Sequence, residues 1–315
     1  MTRMGHVYGP VPSRRLGRSL GIDLVPFKTC SYDCIYCQLG RTTHKTVERR
    51  EYIPVDAILA QLEQKLAGAP RLDYIGLAGS GEPTLHAGIG RLILEIKRRT
   101  STPVAVLTNG SLLGSAEVRD QLMEADLVLP SLDAGDARMF EAVNRPHPSL
   151  RLDEVVEGTA AFTRSFRGEV WLEVFLLVGM TGVLSEARKI AALVEHIGPA
   201  RVQLNTVHRP PAEVDALAVP EGVLSDLLPL FPGKVESILP RAPQVPAHSR
   251  LEDGDVLRLL ARRPCTALDV AEGLDVHVHE ALKHLEQLVA AGRVGTVVRG
   301  GQTFYGVADG GAPGA

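Results

Sequence analysis

The chain has 315 residues, 45% of them hydrophobic, with a net charge of −3 and a pI near 6.4. That length suits roughly two domains and a sizeable core, and the weak net charge excludes a chain built throughout to hold polyanions. The opening "MTRMGHVYGP" carries no apolar signal segment, and the longest nearly apolar run, the ten residues "WLEVFLLVGM", falls far short of the ~20 that a membrane helix needs. The expectation is a soluble cytoplasmic protein with no membrane attachment, in which thiols stay reduced.

From residue 20 to about 235, strand and helix signals alternate. Short apolar, β-branched runs predict buried parallel strands at "GIDLV" (21–25), "DYIGLAG" (73–79), "VAVLT" (104–108), "DLVLPSL" (126–132), "EVWLEVFLLV" (169–178) and "RVQLNTV" (201–207). Stretches of helical period lie between them, at 55–68 with Gly68 as a C-cap, 88–99, 115–125, 151–166 and 184–198. Six strand–helix units predict an α/β architecture, a partial (β/α)6 TIM-like barrel, although a flat doubly wound sheet fits the same periodicity. The strands lead into polar or glycine-rich stretches: the cysteine segment, "GSGEPTLH", "NGS", "SLDAGD" and "NTVHRPP". In parallel β/α folds ligand sites gather at that end of the sheet.

The barrel is expected over 1–237, followed by a linker at 238–250 with three prolines in thirteen residues. Helical stretches at 252–263, 266–274 and 276–293, then two β-type runs around Gly300-Gly301, predict a winged helix-turn-helix domain over 251–309. Residues 310–315 read as a disordered tail. The domain carries six Lys/Arg against nine Asp/Glu, so phosphate neutralisation is weak and DNA binding is not expected. Docking of a protein or peptide fits better. The basic excess lies elsewhere: residues 1–50 hold nine Lys/Arg against three acids. That face suits an anionic substrate, an acidic electron donor or RNA.

Three of the four cysteines fall in "CSYDCIYC", at Cys30, Cys34 and Cys37. Structural zinc sites are closed and four-coordinate. Here a fourth ligand is missing: His44 has no supporting pattern, and Cys265 reads as a small buried residue before a helix. An iron-sulfur cluster accommodates the deficit, because three thiolates leave one iron open to a substrate or cofactor.

The C-x3-C-x2-C spacing with Tyr36 before the last cysteine resembles the signature of the radical S-adenosylmethionine (radical SAM) superfamily, and "SGEP" (80–83) resembles its glycine-rich strand-end element. The resemblance spans residue 20 to about 235. It implies that Cys30, Cys34 and Cys37 hold a [4Fe-4S] cluster whose open iron is chelated by S-adenosylmethionine. It further implies reductive cleavage to methionine and a 5′-deoxyadenosyl radical, with electrons from a reductase such as flavodoxin or ferredoxin. Tyr36 is then expected at the cofactor, and Ser80, Gly81, Glu82 and Pro83 at its methionine moiety, Glu82 as acceptor for the ammonium group. Asn109, Ser131 and Asn205, at strand ends, are expected at the carboxylate, ribose or adenine. Glu173, a carboxylate inside an apolar strand, needs a partner in the lumen and is expected near cofactor or substrate. Asp133 suits a substrate contact or, more readily, a cap for the next helix. No side chain is assigned a catalytic role.

Within the superfamily, "VPSRRLGRSLGIDLVPFKTCSYDCIYCQLGRT", "TNGSL" and "SLDAGD" are most similar to the tRNA wyosine-base (4-demethylwyosine) synthases. Those enzymes carry a second cluster on upstream cysteines, whereas no cysteine precedes Cys30, and their pyruvate-binding lysine has no placed counterpart. The implied function is therefore tRNA or RNA base modification by a relative of those synthases. A peptide- or small-molecule-modifying enzyme and a winged-helix redox regulator are the alternatives.

Overall fold

The computed structural model describes residues 5–67, 71–238, 251–274 and 276–308. The Gly68 cap, the linker beyond Ile238 and the 310–315 tail lie outside the described residues. The elements run β1 (Val7–Ser13), β2 (Gly17–Ile22), α1 (Val55–Ala67), β3 (Tyr74–Leu77), α2 (Ile89–Arg99), β4 (Val104–Thr108), α3 (Ala116–Leu122), β5 (Leu127–Pro130), α4 (Ala137–Val143), α5 (Leu152–Ser165), β6 (Glu169–Phe175), α6 (Leu184–Ile197), β7 (Arg201–Asn205), α7 (Glu221–Leu227) and β8 (Val235–Ser237).

One eight-stranded sheet takes these strands in the order β1 to β8. All neighbours are parallel except β1 and β2, which form an antiparallel hairpin. The six expected strands are β2 to β7, the first of them beginning earlier than expected, at Gly17. The edge strands β1 and β8 were not expected. Strand β1 contains Pro10 and Pro12, which a sheet tolerates only at an edge. Strand β8 is too short to carry a pattern.

The sheet curls without closing. Arg15, in the β1–β2 turn, reaches Glu173 on β6, and Arg14 reaches the carbonyl of Ile238 just past β8. Four strand spacings separate β2 from β6, about 19 Å if flat, well beyond an arginine's reach. Alternation then sorts the side chains. Val104, Val106 and Val128 face the helices, against Leu92, Ile93 and Ile96 of α2. Each such fully buried side chain contributes roughly 1.5–3 kcal/mol. Ala105, Leu127 and Leu129 face inward, where Leu16 from the hairpin turn packs on them and plugs the lower end. Higher in the lumen the inward residues turn polar.

The C-terminal elements are α8 (Asp253–Leu260), α9 (Ala267–Leu274), α10 (Val278–Ala290), β9 (Val294–Arg299) and β10 (Gln302–Val307). Val256, Leu260, Val270, Ala281 and Leu285 form their core. The hairpin turns on Gly300 and Gly301, both at left-handed φ (54° and 74°), as a two-residue connection requires. Cys265 is fully buried and exchanges backbone hydrogen bonds with Tyr305, as a small core residue would.

This unit packs on the first edge of the sheet: α9 lies against β1, and Val11 joins its core. The Arg262 guanidinium sits 3.5 Å over the Tyr8 ring and pairs with the Asp23 carboxylate. The other Asp23 oxygen accepts a 2.8 Å hydrogen bond from the Ser80 amide.

Candidate functional site at the cysteine loop

The loop after β2 carries the three cysteines and is stitched to the loop after β3. The Lys28 amide donates to the Ser80 carbonyl (2.6 Å), and the Glu82 amide donates to the Thr29 carbonyl (3.1 Å). Gly81 forms a parallel bridge with Thr29, and a Cβ at 81 would run into the Thr29 carbonyl oxygen. Only glycine lets the two loops meet this closely.

Each thiol has its own nitrogen donor. Asn109 Nδ2 lies 3.6 Å from Cys30 Sγ, Asn144 Nδ2 lies 3.5 Å from Cys34 Sγ, and Lys28 Nζ lies 3.3 Å from Cys37 Sγ. Lys28 is 3% exposed, and its backbone adopts φ 61°, a region that L side chains rarely occupy. That strained conformation belongs to the buried lysine that reaches Cys37. Neither Lys28 nor Asn144 belongs to a motif, so no short-range pattern marks them.

Burial, and next the Glu82 carboxylate, push the Cys30 thiol up to about 12. Burial also raises Cys34 well above the ordinary thiol range, with Asp133 adding to it. Thiolates there require compensating positive charge, which metal ions supply. Among the described residues no three His, Cys, Asp or Glu side chains converge on one metal ion. The three thiols lie close enough to raise one another's pKa, and three soft sulfur donors suit an iron-sulfur cluster. His44 is exposed. The residues present fit a cluster.

Tyr36 stacks on Phe175 with centroids 3.9 Å apart, and its hydroxyl donates to Asp133. Asp133 also accepts from Asn144 Nδ2 (2.8 Å) and from the Phe175 amide (3.1 Å). Burial dominates its environment and raises its pKa to about 6. Asp133 does not cap the next helix. Asp136 does, accepting from the Met139 amide. Asp133 instead fixes Asn144, and through it the Cys34 sulfur.

Glu82 is 2% exposed. Its Oε1 accepts from the Thr84 amide, the Thr84 hydroxyl and the Thr108 hydroxyl (3.0, 2.6 and 2.6 Å), and its Oε2 accepts from the Asn109 amide (2.7 Å). Burial raises its pKa despite these bonds. The carboxylate ties the strand end of β3 to that of β4, while Pro83 opens the short 3-10 turn Pro83–Leu85 behind it. Glu82→Ala leaves four buried donors unsatisfied. Thermal or urea unfolding should register a loss of about 3–5 kcal/mol. An unfolding free energy within 1 kcal/mol of wild type would contradict this role.

Asn109 links the loops further, donating to Ser31 Oγ (2.8 Å) and accepting from the Ser111 amide (2.9 Å). In the lumen, Glu173 finds its partners in Arg15 (2.7 Å) and Asn205 (2.6 Å). Ser131 is bridged to Glu173 through the backbone. The expected residues therefore form two groups: Ser80, Gly81, Glu82, Pro83 and Asn109 at the cysteine loop, and Ser131, Glu173 and Asn205 on the lumen wall. Tyr36 and Phe175 stand between them. The basic N-terminal segment is in part neutralised internally: Arg15 pairs with Glu173, Arg41 with Asp33 and Glu213, and Arg49 with Glu117.

Residues 24–194 match the family model for the radical SAM superfamily, and residues 254–292 match that for a helix-turn-helix domain. The chain belongs to the radical SAM superfamily and is an enzyme; a [4Fe-4S] cluster and S-adenosylmethionine are its cofactors. It is 34% identical over 305 residues to a Helicobacter pylori protein named UPF0026 protein, covering 95% of this chain and 96% of that one. It is 39% identical over 306 residues to a Brachyspira hyodysenteriae protein named GTPase Obg; the match covers 96% of this chain but only 45% of that protein. Among solved structures, Streptococcus suis SuiB bound to S-adenosylmethionine is similar in fold, with a TM-score of 0.51 at 14% identity, covering 69% of this chain and 50% of SuiB. Among the described residues no helix is long and apolar enough to cross a membrane.

Proposed function

We propose that Cys30, Cys34 and Cys37 hold the cluster, and that the enzyme modifies a base in tRNA or another RNA, as a relative of the wyosine-base synthases. The observation that carries the site assignment is that every one of the three thiols has a nitrogen donor of its own. With cluster and S-adenosylmethionine bound, one-electron reduction supplies a carbon radical that abstracts a substrate hydrogen.

The chain's own residues position and shield. Lys28, Asn109 and Asn144 stabilise sulfur-centred negative charge. Backbone groups of Ser80 to Pro83 would hold the methionine moiety, since the Glu82 carboxylate is engaged internally. Ser131, Glu173 and Asn205 line the curled sheet, which we read as a partial barrel, where ribose and base would lie. The Tyr36–Phe175 stack would exclude water beside the cluster. A flavodoxin- or ferredoxin-type reductase supplies the electron.

Anaerobically reconstituted protein should be brown and, given a strong reductant, form 5′-deoxyadenosine. Colourless protein with stoichiometric zinc would sink the reading. The substrate is tested by offering tRNA with unmodified or methylated guanosine, each with and without pyruvate. A new base from either tRNA supports RNA modification. A new product only on a peptide would transfer the function to peptides.

A further inference from the structure

The open seam of the curled sheet carries clustered positive charge that the cysteine chemistry does not use. Three segments meet there: the β1–β2 turn with Arg14 and Arg15, the stretch after β7 with His208 and Arg209, and the turn between α8 and α9 with Arg263. Arg14 Nη1 donates to the Ile238 carbonyl (3.2 Å), spanning the two edges of the sheet. Arg209 pairs with Asp269 (2.6 Å), and Arg15 with Glu173 (2.7 Å). Four arginines face three carboxylates, Glu173, Asp269 and Glu272, so the cluster keeps a net charge near +1 (4 − 3) while His208 is neutral.

These groups disfavour one another. Arg14 keeps an exposed face, yet burial, and then Arg209, Arg15 and Arg263, lower its pKa to about 10. Burial, then Arg263, also lowers Arg209. His208 is held down to about 4, by burial and then by Arg14 and Arg209. Two nitrogens of this cluster, Arg209 Nε and His208 Nε2, are buried with no hydrogen-bond partner among the described residues. Buried polar groups normally have partners, and like charges gather at this cost where an anion completes the set.

We propose that this seam is a binding site for a phosphoryl group of the substrate, held by Arg14, Arg209 and Arg263, with the attached nucleoside carried into the lumen. Arginine suits the role because its planar fork meets phosphate oxygens two at a time. Arg15 continues the path inward, through Glu173 to Asn205. Arg263 comes from the C-terminal unit, so that unit would supply part of the substrate site. Assignment of the phosphate to a nucleotide rests on the RNA reading above; the binding of an anion does not.

The test is calorimetric titration of the full chain, without S-adenosylmethionine or reductant, using guanosine 5′-monophosphate, guanosine, inorganic phosphate and a single-stranded RNA hexamer. The monophosphate should bind at least tenfold more tightly than guanosine and be displaced by phosphate. Arg14→Ala and Arg263→Ala should each weaken it by about tenfold or more. Arg18→Ala, on the same hairpin but outside the cluster, should leave it unchanged. If Arg263→Ala unfolds, Arg14→Ala on its exposed turn decides alone. A hexamer that binds more tightly than the monophosphate identifies an RNA backbone as the source; equal affinity identifies a free nucleotide. Equal binding of nucleoside and nucleotide overturns the site, as does wild-type affinity in Arg14→Ala, or saturable binding of an acidic peptide without any of the nucleotide. Because binding is read without the radical chemistry, 5′-deoxyadenosine formation with no phosphate binding removes only this site, and phosphate binding without 5′-deoxyadenosine removes only the radical reading.

Discussion

Replacing Cys34 by alanine should abolish iron retention after anaerobic reconstitution, from about four irons per chain to a residual level, and with it reductive cleavage of S-adenosylmethionine. Cys30→Ala and Cys37→Ala should behave alike. The thiols are served by different donors, so none can stand in for another. Cys265→Ser is the contrasting variant. Its sulfur lies in the core of the C-terminal unit, among Val256, Val270 and Tyr305, and its pKa is raised to about 11 by burial. Iron content should remain at the wild-type level in that variant. Retention of four irons in Cys34→Ala, or their loss in Cys265→Ser, would show the ligand set to be wrong.

Gly81→Ala should be nearly as damaging, without touching a ligand. The added methyl cannot coexist with the Thr29 carbonyl oxygen, so the backbone bridge between Thr29 and Gly81 must open. Opening it displaces the residue next to Cys30 and the Ser80 to Pro83 loop together. The expected result is at least a 100-fold fall in 5′-deoxyadenosine formation, an effect of the size that small misplacements of positioning groups produce. Gly222→Ala meets nothing within 4 Å and should leave activity intact. A Gly81→Ala enzyme within threefold of wild type would contradict the close approach of the two loops.

Much of this site was legible in the sequence because its constraints are local. Cysteine spacing, a glycine at a close approach and strand-end polar residues all leave short-range patterns. So did the six inner strands, whose helix-facing positions repeat apolar residues along short runs. The edge strands were illegible for the same reason: β1 bears prolines and β8 only three residues. The donors to the sulfurs were hidden for another. Asn144 lies 110 residues from Cys34, so only the fold pairs them. Asp133 is instructive, since a carboxylate before a helix reads as a cap, yet Asp136 takes that position and frees Asp133 for the lumen. Glu82 suits an ammonium partner by residue type, and only the fold shows its carboxylate bonded to Thr84, Thr108 and Asn109.

The contact between Arg262 and Asp23 bears on how this protein can be shortened or recombined. A chain cut before residue 251 would bare Val11 and the Tyr8 ring, and would leave Asp23 holding the Ser80 amide with its second oxygen unpaired. The glycine loop would then rest on an aspartate whose counter-charge had gone. Swapping the C-terminal unit for an unrelated module would have the same consequence, unless the replacement brought its own arginine to that spot. The two parts are therefore expected to be inherited together, with residues 8, 23 and 262 changing as a set.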